Sequence, residues 1–310
     1  MHDSGAGGQL VAYVTLDDTP ATENDAAVVD EWQQMYDDLY DGVAPPELGM
    51  DFRGWNSSYT GDPLPLDEMT EWRCATVDQI LELRPRRVLE IGVGSGLILS
   101  QVAPHCEHYV GTDMSTVAVN GLRQALRRSA VTWRDRVRLR AQPAHVTDGL
   151  TPGSFDVIVL NSIVQYFPHR GYLTDVLDKA VDLLAPGGTL FIGDVRNHHL
   201  QRAFLAGVAR AKAPDADTAE LRERIHRAIL GEAELLITPE FFITWSAQHA
   251  KLAGVDIRVK RGRADNELTR YRYDVLVHRE PAAARSVADL PSWTWASCEH
   301  LAGLRHRLTA

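Results

Sequence analysis

Cysteine is scarce in this sequence. There are three in 310 residues, Cys74, Cys106 and Cys298, far apart and odd in number. That excludes a disulfide framework and points to a reducing compartment, the cytoplasm. No apolar stretch approaches the roughly 18–20 residues of a membrane span, so no membrane partner is expected. The opening MHDSGAGGQLVAYV has no basic segment followed by an apolar run, so it does not read as a signal peptide. Basic residues are also in deficit, with 32 Lys and Arg against 42 Asp and Glu and a formal charge of −10. A nucleic-acid binder usually presents a basic surface, so this balance speaks against a nucleic-acid partner. What remains is ordinary: 45% apolar and 24% charged residues, enough for a sizeable core. The length suits one main domain of about 200–250 residues with additions.

Residues 1–28 read as a leader in which 9–16 (QLVAYVTL) form at most a lone strand. Residues 29–84 read as an N-terminal helical lid. In 28–40, Val29, Trp32, Met35, Tyr36 and Leu39 fall at helical spacing and predict an amphipathic helix. Pro45 and Pro46 stop it, and 51–65 form a polar, aromatic loop. Asp67 is placed to cap a helix running through Leu83.

Residues 85–280 read as the main domain. Apolar runs at 88–91, 109–112, 137–140, 157–160 and 190–192 predict buried strands, and 97–102, 117–128 and 172–184 the helices between them. This alternation implies βαβ units in a doubly wound, mostly parallel α/β sheet. Pro186-Gly187-Gly188 reads as a turn before the fifth strand. A helical insertion of about three helices occupies 198–252. Strands at 257–260 and 271–277 then suit an antiparallel pair closing the sheet edge. Residues 281–310 look like a linker, with Trp293 and Trp295 suggesting that its end docks on something.

The chemistry is most legible at Glu90-Ile91-Gly92-Val93-Gly94-Ser95-Gly96, which follows an apolar strand and opens a helix. Glycines there let the backbone turn tightly and approach a ligand. A second acid, Asp113, ends the next strand, where a carboxylate can accept both hydroxyls of a ribose. The spacing is G-x-G-x-G, not the G-x-G-x-x-G of dinucleotide sites. A glycine turn without a ligand is the plain alternative. Met114 and Ser115 would flank an adenine, with Gln142 and Ala144 at its edge, although Met114 serves equally well as core. Asn161 and Ser162 emerge from the fourth strand at its carboxyl end, where ligands bind in such sheets. Either could instead cap a helix.

This set resembles the class I S-adenosylmethionine-dependent methyltransferases. A narrower resemblance rests on five blocks in order: GWNSSYTGDPLPLDEMTEW (54–72), NSIVQYFP (161–168), GDVRN (193–197), ELLITPEFF (234–242) and KRGRADNELTRYRYDV (260–275). They are similar to the N-methyltransferase domains embedded in the adenylation domains of nonribosomal peptide synthetases. The resemblance implies a Rossmann-like class I fold, S-adenosylmethionine as cofactor and S-adenosylhomocysteine as product. It implies transfer to the α-amino nitrogen of an aminoacyl or peptidyl thioester, with a carrier protein and an adenylation domain as partners. The leader QLVAYV and the tail resemble pieces of that adenylation domain. Some relatives methylate carbon, oxygen or sulfur, so a freestanding enzyme acting on a small acid stays open, as does a silent cofactor-binding module.

Methyl transfer needs alignment more than a strong base. The polar residues above the sheet are the candidates for catalysis: Asn161, Tyr166, Asp194 and Glu234, with Glu240 and Glu267 behind them. Trp55 and Tyr59 would form a flap over the cofactor, with a π face near its sulfonium. Arg261, Arg263, Arg270 and Arg272 would meet a phosphopantetheine phosphate, or merely pair with Asp265 and Glu267 on a solvated hairpin. His105, Cys106 and His108 are too few to bind a metal, and none is expected.

Overall fold

The computed structural model describes residues 22–40, 47–282 and 290–309. The leader strand, the adenylation-like QLVAYV and the Pro45-Pro46 stop lie outside the described residues. In chain order the elements are α1 (Thr22–Tyr40), α2 (Leu66–Glu82), β1 (Arg87–Ile91), α3 (Leu99–Val102), β2 (His108–Asp113), α4 (Thr116–Arg128), β3 (Val137–Ala141), β4 (Phe155–Asn161), α5 (Arg170–Leu183) and β5 (Leu184–Arg196). There follow α6 (Gln201–Lys212), α7 (Thr218–Leu230), α8 (Pro239–Ser246), β6 (Leu252–Val259), α9 (Glu267–Arg270), β7 (Arg272–Arg279), α10 (Trp295–Cys298) and α11 (Leu301–Thr309).

The strands form one seven-stranded sheet in the order β3-β2-β1-β4-β5-β7-β6. The first five run parallel, and β7 is antiparallel to both β5 and β6. The sheet is therefore Rossmann-like and doubly wound, as expected. Its centre is apolar on both faces because helices cover both. Along β4, Ile158 and Leu160 pack on Leu173, Leu177 and Val181 of α5, while Val157 and Val159 join Ile80 of α2, Leu99 of α3 and Leu122 of α4 on the opposite face.

Several local expectations are revised. Asp67 is not a cap: α2 begins at Leu66 behind Pro65, leaving Asp67 in the first turn, where its charge still suits the helix dipole. The helix expected at 97–102 is a single turn, α3, running into a 3-10 turn at Ala103–His105. Pro186-Gly187-Gly188 does not precede the fifth strand. β5 runs through it from Leu184, with Gly187 at φ +77° and a register shift against β4 at Phe155/Val157. The insertion does contain three helices. However, α6 and α7 bury no residue fully, whereas α8 buries Phe242 and Trp245 in the core. In the tail, Trp293 and Trp295 stay 48% and 59% exposed, and the Arg307 guanidinium lies 5.6 Å from the Trp293 ring.

Candidate active site

A cavity of about 1130 Å³ opens where the carboxyl ends of β1, β2, β4 and β5 meet α1 and α6. It exceeds the roughly 300–1,000 Å³ typical of a single small ligand, so there is room for two. Its floor is the turn after β1. Gly92, Gly94 and Gly96 all have positive φ (+78°, +48° and +84°), but for different spatial reasons. A Cβ on Gly92 would collide with Ile163, and one on Gly96 would come within 2.6 Å of Leu122 on α4. Gly94 is the open one: a Cβ there would meet only the Tyr40 hydroxyl, 3.5 Å away. Gly92 and Gly94 line the cavity; Gly96 instead lets α4 pack close to the turn.

Two acids flank this floor. Glu90 is buried, and Tyr109 donates a 2.6 Å hydrogen bond to it. Burial pushes its carboxyl up to about 8, although the Tyr109 bond pulls the other way. Asp113 accepts the Gly94 N–H at 2.8 Å and the Ser115 N–H at 2.9 Å, one on each oxygen. Burial raises its carboxyl above the ordinary range against those two bonds. Both acids line the cavity, as do Met114, Gln142, Ala144, Asn161 and Ser162. Asn161 is buried, and its Oδ1 has no hydrogen-bond partner in the chain. Gly193 leaves room for it, since a Cβ there would strike Asn161 Oδ1.

The roof is α1. Its stripe of Val29, Trp32, Met35, Tyr36, Leu39 and Tyr40 faces the cavity. The helix is tied down near both ends. Ser115 Oγ donates to Asp37 at 2.5 Å, and His169, the cap of α5, meets Asp25 at 2.7 Å. Tyr166 packs beneath this roof, its ring centroid 4.7 Å from Trp32 and 5.3 Å from Tyr36.

Beyond Tyr166 lies a polar corner that sequence reasoning found only in part. Arg196 meets Glu232 at 2.8 Å and Glu234 at 2.7 Å, and all three line the cavity. Glu232 uses both oxygens on Arg196, while Glu234 gives Arg196 only Oε2. Arg196 and Glu232 carry no local signal in the sequence, because their pairing spans 36 residues.

Other expected site residues sit elsewhere. Asp194 does not reach the cavity. It is fully buried, and its oxygens receive Trp72 Nε1 (3.2 Å), Ser162 Oγ (2.8 Å) and Arg272 (2.5 Å), with Lys260 at 3.5 Å. Lys260 also pairs with Asp274 at 2.9 Å, and Gln79 donates to Asp274 at 2.8 Å. The network holds two buried cations and two buried anions. Tyr59 is outside the lining too; its hydroxyl shares a 3.2 Å hydrogen bond with that of Tyr271, and its ring packs against Phe204. Ser115 is fully buried as the cap of α4. Glu240 is exposed and pairs with His199 at 2.9 Å. Glu267 does line the cavity, accepting the Ser58 N–H (2.9 Å) and hydroxyl (2.7 Å). Trp55 lines it as well, tilted against Trp72 at 4.6 Å and 5.9 Å from the Arg272 guanidinium.

The four arginines do not form one patch. Arg261 pairs with Glu82 at 2.7 Å, Arg270 with Asp265, Arg263 gives its backbone N–H to Glu71, and Arg272 turns inward to Asp194. Cys106 is buried, donates to the Val102 carbonyl at 3.2 Å, and burial pushes its thiol up to about 12.

Comparison with known proteins accords with this geometry. Residues 89–190 match the family model described as a methyltransferase domain. The chain thus carries an S-adenosylmethionine-dependent methyltransferase domain, and S-adenosylhomocysteine is what remains of that cofactor after transfer. Within that class it resembles the methyltransferase domains of nonribosomal peptide synthetases. It is 45% identical over 293 residues to the probable non-canonical nonribosomal peptide synthetase CymA of Salinispora arenicola, covering 94% of this chain. It is 42% identical over 274 residues to the chondramide synthase cmdD of Chondromyces crocatus, covering 87%. The chain spans only 4% and 7% of the lengths of those two relatives. Among solved structures, the geranyl diphosphate C-methyltransferase of Streptomyces coelicolor A3(2) superposes with a TM-score of 0.51 at 11% identity, over 80% of this chain and 97% of that one. That likeness concerns the fold.

Proposed function

We propose that this chain methylates the α-amino nitrogen of an aminoacyl or peptidyl thioester carried on a carrier protein, within or beside a cytoplasmic nonribosomal peptide synthetase. The observation that carries the reading is the charge balance at the polar corner. Arg196 brings one positive charge against the carboxylates of Glu232 and Glu234, and the charge of Arg272, which also lines the cavity near Glu234, is matched by Asp194, so one unit of negative charge is left at this corner. That excess attracts an ammonium group and repels a free carboxylic acid. Glu234 Oε1, not engaged by Arg196, is the group to hold the amine N–H and receive its proton.

The other end of the cavity suits the cofactor. Gly94 offers bare backbone, Asp113 keeps lone pairs on both oxygens for a ribose, and the unpartnered Asn161 Oδ1 calls for a ligand donor. In this reading Gly92, Gly94 and Asp113 hold the nucleoside, Met114, Gln142 and Ala144 flank its base, and Glu90 faces its amino acid end. Bound S-adenosylmethionine supplies a methyl group on a positively charged sulfur, which leaves neutral. The chain's own task is placement and dryness: Trp32, Tyr36 and Tyr40 close the roof, and Tyr166 with Asn161 confines the amine near the floor. An α-amine ordinarily titrates near 8, so a neutral fraction exists at working pH and no stronger base than a carboxylate is required.

The test is incubation with labelled cofactor and a carrier loaded with aminoacyl groups, followed by mass spectrometry of the released amino acid. One methyl on the α-nitrogen is expected. Label found only on free small acids, or on none of the substrates, overturns the reading.

A further inference from the structure

The helical insertion contains a face that the fold itself does not use. Gln201, Phe204, Leu205, Val208 and Lys212 of α6 all line the cavity, and their spacing places them on one side of the helix. An amphipathic helix normally buries such a stripe in a core, yet neither α6 nor α7 buries a single residue fully. The ends of the stripe have separate settings. Gln201 lies beside Glu232, at the amine-binding corner. Lys212 is exposed, at the mouth. Between them, Phe204 to Val208 span about 6 Å of helix. Phe204 is held by Tyr271 at 5.1 Å and Tyr59 at 6.1 Å, with the Arg196 guanidinium 5.9 Å away. The Tyr59 hydroxyl also sits 2.8 Å from where a Cβ on Gly207 would lie, so α6 is seated by close contact.

We propose that the apolar stripe of α6 is the pocket for the acceptor's side chain, and that the enzyme takes aminoacyl groups with bulky apolar side chains. This rests on the amine-acceptor reading above. Leu205 and Val208 line the same cavity as Glu234, so an acceptor whose amine sits at Glu234 has its side chain in the space they bound. The other group that must pass the mouth is the pantetheine arm, whose two amides need polar partners; the Leu205 and Val208 side chains offer none.

The experiment measures kcat/KM on one carrier loaded in turn with leucyl, phenylalanyl, alanyl, seryl and aspartyl groups, for the wild type, Leu205→Ala and Val208→Ala. Leucyl and phenylalanyl are expected to exceed alanyl and seryl by about tenfold or more, and aspartyl to be the poorest. Each substitution should lower the leucyl-to-alanyl ratio about tenfold, with the Kd for S-adenosylhomocysteine reporting an intact cofactor end. A wild-type ratio near one overturns the proposal. So does an equal loss on every substrate, which would assign the stripe to the pantetheine arm. If no loaded carrier is methylated, the amine reading has failed by itself. The pocket is then judged by the Kd of leucyl- and seryl-pantetheine amides with S-adenosylhomocysteine bound, where equal values overturn it.

Discussion

Asp194, near the carboxyl end of β5, and Glu234, beyond that end, are both acids, and their surroundings give them different duties. Burial alone would push the Asp194 carboxyl up, but Arg272 and Lys260, with bonds from Ser162 and Trp72, outweigh it and hold the group below the ordinary carboxylate range. It stays charged and has no access to an acceptor. Asp194→Asn leaves two buried cations facing Asp274 alone, which should cost about 3–5 kcal/mol in urea unfolding. Glu234→Gln should lower kcat about 10²-fold or more with little change in stability. The reverse pattern would return Asp194 to the chemistry. Glu90 carries a pH signature. Its folded-state value of about 8 lies above the ordinary value of about 4, so the native state binds the extra proton. Stability without cofactor must therefore fall as pH rises through that window and level off above about 8. Glu90→Gln, still able to accept from Tyr109, should remove the slope and gain about 4–5 kcal/mol over the wild type at pH 8. Parallel unfolding curves for the two proteins from pH 5 to 8 would contradict the burial argument.

Among the elements, α1 is the one expected to gain most from bound cofactor. Its apolar stripe faces the cavity, and polar ties to Ser115 and His169 fasten it to α4 and α5. Filling the cavity gives that stripe the contacts it otherwise lacks. Saturating S-adenosylmethionine should slow hydrogen exchange in residues 22–40 by about tenfold or more, with far less effect in α2, whose Met69 and Ile80 are already fully buried. Equal protection of both helices would mean that α1 is not the roof. Helix α6 is comparable in burying no residue fully, and for the same reason: its apolar side is turned to the cavity.

At the scale of the whole molecule, the tail stands apart from the sheet. α11 buries nothing and α10 only Cys298. Deleting residues 283–310 should shift Tm by less than about 2 °C and leave cofactor affinity unchanged. A larger drop would reveal docking on the core. The sheet was readable in advance because its central strands are covered on both faces, which forces unbroken apolar runs at 88–91 and 157–160. The glycine floor was readable because it is local: seven consecutive residues from Glu90, followed by Asp113 at the next strand's end. The Asp194 network was misread because its partners lie 32 to 122 residues away. A register shift between Ile192 and Val195 against β7, with Asp194 at φ +65°, turns its side chain inward. No linear pattern encodes that rotation.

The sequence by itself determined the parallel sheet, the glycine turn and the acid that follows it, because each depends on residues close together in the chain or on burial repeated along one element. Which acids are buried, which carboxylate keeps a free oxygen, and which helical stripe faces a cavity were decided only by tertiary structure. Desolvation and ion pairing are set by the nearest atoms in space, and here β7 and the insertion supply them from far along the chain.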